Sequence, residues 1–365
     1  MTMLEIDKVS KVYKSGTFGG DVMLALRGVS FDIDQGEVVS LIGQSGSGKS
    51  TLGKILLRLV EASGGVVRFD GRDITSWGKN ERRDYYRHVQ GVFQDPFTSY
   101  NPLYKADRVF EMVRGVYYPS LSKAQWEAKL EDALESVSLN PADVLNKFPH
   151  QLSGGQQQRL LIARALLLEV KLLIADEIIS MLDASTRVDV LNLLVDLKKK
   201  GLGVLFITHD LSLGNYISDR TVILRYGATV EMGETHKVFG NPQHPYTKSL
   251  LTAVPQLHKK WESNGALLTT GPLSRSGATA QLEAEPMTAE ADADPRRYSK
   301  NAIHPRQQAR VEGSEGPRLS LMDRRDAPWH QRFGVRGPDN AAVIAANPPP
   351  VMVECEPGHF VAQGA

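Results

Sequence analysis

Val38-Val-Ser-Leu-Ile42-Gly43-Gln-Ser-Gly-Ser-Gly48-Lys49-Ser50-Thr51 is a short apolar run that breaks into a glycine-rich turn and then into a helix-forming stretch. The turn fits G-x-x-x-x-G-K-[ST] and sits where that pattern has chemical meaning, after a strand and at the opening of a helix. Glycines at 43, 46 and 48 let the backbone curl with its N–H groups inward, and the helix starting near Lys49 adds the positive end of its dipole. Polyphosphate is the natural guest of such a cradle. Lys49 is placed to neutralise the β and γ phosphates and the Ser50 hydroxyl to ligate Mg²⁺. The candidate phosphate contacts are Gly43, Ser45, Gly46, Ser47, Gly48, Lys49, Ser50 and Thr51.

Downstream, Leu172-Leu-Ile-Ala-Asp176-Glu177 is an apolar strand ending in two acids. Ligands of open α/β sheets bind at the carboxyl ends of the strands, which puts Asp176 in position to hold the metal. Glu177 falls where strand gives way to loop, so it is free to turn toward the γ-phosphate and act as general base. A pair of acids at a strand end is often only solvated; the phosphate loop upstream gives this pair a task.

Around these segments the chain reads as α/β. Short strands at Leu4–Val12, Val29–Ile33, Glu37–Ile42 and Val66–Phe69 surround one helix from Lys49 to about Val60, with an antiparallel portion at the front. The stretch from Phe97 to Leu168 is largely helical by its apolar spacing. Runs at Leu172–Asp176 and Val204–Thr208, separated by a helical segment Ser185–Lys200, predict a parallel sheet with crossover helices. Thr221–Arg225 and Ala228–Met232 flank Tyr226-Gly227, a hairpin signal.

The marker of family is Leu152-Ser153-Gly154-Gly155-Gln156, followed by Gln157-Gln-Arg159 and a helix. Ser153 and the two glycines open that helix with N–H donors and a hydroxyl, a second clamp for an anion. With both phosphate motifs in order, the sequence resembles the ABC ATPases, whose signature is LSGGQ. That resemblance implies a P-loop NTPase core of RecA-like type with an antiparallel β subdomain and a helical signature subdomain at about 97–168, within an ATPase domain spanning 1–261.

The resemblance also implies that Ser153, Gly154, Gly155 and Gln156 close over ATP held by the phosphate loop of a second subunit, so hydrolysis needs a dimer. Gln94, ending the run Val89–Phe93, resembles the loop glutamine that touches Mg²⁺ and the attacking water. Asp183 resembles the aspartate that crosses the dimer interface, and His209, after Val204–Thr208, the switch histidine that contacts the γ-phosphate. Tyr13 stands where the family places the aromatic that stacks on adenine; a plain packing role is the other reading. Where many relatives have Asp-Glu-Pro, this chain has Asp176-Glu177-Ile178, which removes a fixed φ but keeps both acids.

Phe93-Gln94-Asp95-Pro96-Phe97, Ser99-Tyr100-Asn101-Pro102 and Asn241-Pro-Gln-His244-Pro-Tyr246-Thr247 resemble the oligopeptide and dipeptide importer branch, second-ATPase type, over roughly Leu4 to Trp261. Glu177–Asp183 and His209–Asn215 look equally like related oligosaccharide importers, so short peptides and oligosaccharides both stand as cargo. The implied partners are a paralogous ATPase or a second copy, two membrane permease subunits and an extracytoplasmic solute-binding protein. Pro96, Phe97 and Tyr100 either line the groove for the membrane subunit or serve as core and turn.

Composition fits that assignment. The 365 residues are 41% hydrophobic and 23% charged with net charge +1, without the strongly basic balance of a nucleic-acid binder. No apolar run is long enough to span a bilayer and Met1–Val12 lacks a secretory layout, so a cytoplasmic protein is the default; the family resemblance then implies a peripheral place at the cytoplasmic face of the inner membrane. Cys355 is the single cysteine, so the iron–sulfur cluster carried by some relatives is not expected. From 262 to 310 the chain is rich in Ala, Glu, Asp, Pro, Gly and Ser, a linker composition, leaving 311–365 as a small C-terminal appendage. A soluble ABC ATPase acting on ribosome or DNA is the rival reading; the duplicated cassettes or long heptad arrays of such proteins do not occur here.

Overall fold

The computed structural model describes residues 2–14, 22–75, 77–253 and 340–363. Strands β1 (Thr2–Lys14) and β2 (Val22–Asp34) pair antiparallel, Tyr13 opposite Met23. β1 runs two residues beyond Leu4–Val12 at each end, and β2 starts at Val22 and not Val29, where register shifts opposite Val9, Lys11 and Val12 break the two-residue period. Strand β3 (Val38–Ile42) follows with all five residues buried, as a strand covered on both faces must be. Helix α1 (Lys49–Leu56) buries Leu52, Ile55 and Leu56. It stops short of Val60 because Arg58 takes φ 53°, a left-handed conformation that ends a helix. Strands β4 (Gly64–Phe69) and β5 (Arg72–Asp73) complete an antiparallel sheet in the order β2-β1-β4-β5.

Helix α2 (Lys79–His88) went unread in the sequence because it is almost wholly polar. It is held by Gly78 N donating to the Glu81 carboxylate at 2.7 Å and by buried Tyr85, whose hydroxyl donates to Leu56 O at 2.6 Å. After β6 (Val89–Val92) come α3 (Arg108–Tyr117), α4 (Lys123–Glu135), α5 (Pro141–Val144) and α6 (Gly154–Leu166), the expected helical region. Ser122 caps α4 reciprocally with Gln125, and Trp126, Leu130, Ala133 and Leu134 form its buried stripe.

The main sheet resumes with β7 (Leu172–Asp176), α7 (Ala184–Lys199), β8 (Gly203–Thr208), α8 (Leu211–Ile217), β9 (Arg220–Arg225) and β10 (Ala228–Glu234). Tyr226 and Gly227, at φ 49° and 80°, make the tight turn between the last two. Helices α9 (Thr235–Gly240) and α10 (Pro245–Thr252) follow. Near the C-terminus, α11 (Asn340–Ala345) precedes β11 (Val351–Glu356) and β12 (His359–Gln363). That hairpin continues the sheet, with Val361 opposite Glu231 of β10. The order is β11-β12-β10-β9-β3-β8-β7-β6, with β9, β3, β8, β7 and β6 parallel. The linker read at 262–310, and the appendage as far as 339, lie outside the described residues.

Alternation along the strands sorts the core into two layers. Leu172, Ile174, Leu205 and Ile207 pack with α1 and the antiparallel sheet, whereas Leu173, Ala175, Val204 and Phe206 pack with the helical region. Register then sets the site: Ile42 pairs with Thr208 and Ile207 with Asp176. The phosphate loop, Glu177 and His209 therefore leave the sheet together at one edge.

Candidate nucleotide site

Gly43 to Gly48 link β3 to α1, and a side chain could not replace hydrogen at two of these positions. A Cβ at Gly43 would stand 2.3 Å from Leu224 O. Gly48, at φ 105°, would bring one within 2.7 Å of Ala25 O. Lys49 is buried at the head of α1 and donates to Gly43 O at 2.6 Å and Gln44 O at 3.0 Å. Burial holds its ammonium below the ordinary lysine range, with the Glu177 and Asp176 carboxylates opposing. Ser47 Oγ, in the middle of the loop, is buried without a hydrogen-bond partner, so the cradle has an unspent hydroxyl as well as its amides.

Asp176 ends β7 with Oδ1 accepting from Ser50 Oγ at 3.3 Å. Burial raises its carboxyl above the usual range against that hydrogen bond, and the neighbouring Glu177 charge pushes the same way. Among the described residues no three His, Cys, Asp or Glu side chains gather. Two hard oxygens, Ser50 and Asp176, fit a cation that takes its remaining ligands from phosphate and water, which is how Mg²⁺ is usually held.

Glu177 takes φ 52°, in the left-handed region, and its N–H donates to Ile207 O at 2.9 Å. Turning the backbone at this residue separates the two adjacent acids: one meets Ser50 and the other meets His209, whose Nδ1 lies 3.2 Å from Glu177 Oε1. Ile178, in the place of the proline of many relatives, is fully buried in the helical-side core.

Two adjoining clefts surround the loop. One, of about 680 Å³, brings Gln94, Glu177 and His209 to Gly43, Ser45 and Ser50. The other, of about 390 Å³, is walled by Gln44 to Thr51 together with Met23, Arg225, Tyr226 and Tyr246. The sequence signals only a hairpin at Arg225 and Tyr226 and a branch marker at Tyr246, and gives no sign that these residues or Met23 wall the cleft. Tyr13 is absent from the described lining of either cleft. It stands opposite the lining residue Met23, with Lys11 Nζ 5.1 Å from its ring centre.

The signature segment lies elsewhere: none of Ser153, Gly154, Gly155 and Gln156 lines either cleft. Ser153 caps α6, accepting from Gln156 N at 3.2 Å while Gln156 Oε1 accepts from Ser153 N at 2.9 Å. Asp183 caps α7, accepting from Ser185 Oγ at 2.6 Å and Thr186 Oγ1 at 2.7 Å, bonds that hold its carboxyl well below the usual range. The two caps are neighbours, since a Cβ on Gly155 would stand 2.4 Å from Thr186 Cγ2.

Of the groove candidates, Pro96 is buried and Tyr100 is core, its hydroxyl donating to Gln157 O at 3.0 Å. The Phe97 side chain lies outside the described residues. Exposed apolar surface is found just beyond them, at Leu103, Tyr104 and Met112. Tyr104 and Met112 line a cleft of about 540 Å³, with the Arg108 guanidinium 3.7 Å from the Tyr104 ring centre.

A phosphate cradle, a strand-end acid pair and a histidine on adjacent parallel strands define a nucleotide-hydrolysing enzyme. Residues 26–180 match the family model described as ABC transporter, and residues 230–277 match that of the oligopeptide/dipeptide transporter C-terminal region. The chain is 41% identical over 255 residues to the oligopeptide transport ATP-binding protein OppF of Streptococcus mutans, covering 70% of this chain and 82% of that protein. With OppF of Bacillus subtilis the identity is 41% over 244 residues, covering 66% and 79%. It is also similar, at 30% identity and TM-score 0.57, to a dimeric ATP-binding cassette solved in a post-hydrolysis state with ADP and Pi, covering 64% of this chain and 99% of that one. The chain belongs to the ATP-binding subunits of ABC transporters, and is an ATPase.

Proposed function

We propose that this chain powers import of short peptides as one of two ATPase subunits under a pair of membrane permeases. The names of its relatives and the match at 230–277 support peptide over oligosaccharide. Among the described residues no helix is long and apolar enough to cross a membrane; the partners in this reading are the permeases and, beyond them, a solute-binding protein. The exposed Leu103, Tyr104 and Met112 are the docking surface for the permease on the cytoplasmic face.

The observation that carries the mechanism is that, among the described residues, none of the signature segment lines either cleft around the phosphate loop, so the two anion clamps stand apart. Each ATP lies between Lys49 and Ser50 of one subunit and Ser153 to Gln156 of the other, with Asp183 at the interface. Ser50 and Asp176, with Gln94 beside them, would hold Mg²⁺, which when bound would supply charge neutralisation at the phosphates. Glu177 accepts a proton from the attacking water, and His209 orients Glu177 and meets the γ-phosphate. Tyr13, beside Met23 at the mouth, contributes to the base side.

The assembled transporter in vesicles tests this reading. ATP hydrolysis should rise when the binding protein is loaded with short peptides. Stimulation by oligosaccharides with none by peptides would contradict the cargo assignment.

A further inference from the structure

Glu231, on β10, is fully buried. A carboxyl group withdrawn from water needs partners, and this one has three, two from the segment before α10 and one from β12. Its Oε1 accepts from Gln243 N at 2.8 Å and lies 2.8 Å from His359 Nε2; its Oε2 accepts from His244 N at 3.1 Å. His359, on β12, is also fully buried and sets its other nitrogen 3.0 Å from Glu356 Oε1. The C-terminal hairpin and the segment leading into α10 thus meet at one buried carboxyl group.

From there the chain of bonds runs to the phosphate loop. Burial keeps His244 below the ordinary histidine range, and its Nδ1 accepts from Tyr246 N at 3.1 Å, capping α10. Tyr246, itself buried, accepts at its hydroxyl from Gln44 N at 3.1 Å. Gln44 is the second residue of the loop, and its carbonyl, with that of Gly43, accepts from Lys49.

We propose that Tyr246 is a positioning residue for ATP binding, fixing the first turn of the phosphate loop, and that the C-terminal hairpin holds it in place through His359, Glu231 and His244. This rests on the reading that the loop holds ATP. Nothing in the relay touches the reacting atoms, so its loss weakens the grip on nucleotide and leaves turnover of bound nucleotide intact.

The test is MgATP affinity and steady-state hydrolysis of the assembled transporter carrying Tyr246→Phe, His359→Gln, both together, or Lys49→Ala. Tyr246→Phe keeps the ring and removes one hydrogen bond, so Kd and KM should rise about two- to tenfold, with kcat within about twofold of the parent. His359→Gln should act in the same direction, and the double variant should be weaker than the parent by less than the product of the two single effects. If His359→Gln does not accumulate folded, His244→Asn takes its place. Unchanged affinity in Tyr246→Phe while Lys49→Ala loses ATP, or fully multiplicative effects, would overturn the relay. Normal ATP binding by Lys49→Ala would overturn the reading of the loop itself, and the relay with it.

Discussion

His209 sets Nδ1 3.2 Å from Glu177 Oε1, joining the ends of β8 and β7 at the mouth of the cleft that also holds Ser50 and Gln94. The contact depends on Glu177 leaving its strand at φ 52°. Glu177→Gln keeps the shape but removes the proposed base, so hydrolysis should fall about 100-fold or more with MgATP still bound. Single-turnover kinetics reads both.

Asp176 carries a carboxyl raised by burial. The folded protein therefore binds this proton more tightly than the unfolded chain, and stability falls as pH rises from the ordinary aspartate range, 3.8, through the raised value. At neutral pH the ionised form is a burden on the fold. Asp176→Asn should raise Tm at pH 7 and lose that gain at low pH, while Mg²⁺-dependent hydrolysis drops. Melting curves across pH, paired with activity, check the opposite signs.

Gly155 faces Thr186, whose Cγ2 would lie 2.4 Å from an added Cβ. Thr186 cannot swing away, because its hydroxyl and N–H are both bound to Asp183. Gly155→Ala should cost about 1–3 kcal/mol by overpacking and displace the signature cap relative to Asp183. Denaturant unfolding gives the first effect and ATPase activity the second, which should exceed the loss caused by Ser153→Ala.

Leu103 is 79% exposed. Leu103→Asp should leave stability within about 0.5 kcal/mol of the parent, as surface changes do, while reducing recovery with the permeases. Pull-down beside a melting curve separates the two.

Most of the architecture was legible where one physical rule acted alone. Strands β3, β7 and β8 are continuous apolar runs because both faces are covered, and the phosphate loop is fixed by its glycines. Legibility failed where distant residues decide. Helix α2 is polar and becomes helical around buried Tyr85. The hairpin at 351–363 finds its place through Glu231, 128 positions before His359, and Tyr246 meets Gln44 across 202 positions. A turn motif at Asn241–Thr247 could be recognised as a pattern, but its contact with the phosphate loop could not. Of the two roles open to Pro96 and Tyr100, groove lining or core and turn, the buried one is found, Tyr100 donating its hydroxyl to an acceptor in α6.

The central claim is that two chains enclose each nucleotide, and native mass spectrometry of the Glu177→Gln ATPase pair with MgATP tests it most directly. Two ATPase chains retaining two ATP molecules, separating when Ser153 to Gln156 are replaced by alanines, is the result expected. Single chains that hold ATP as firmly as the pair does would contradict it.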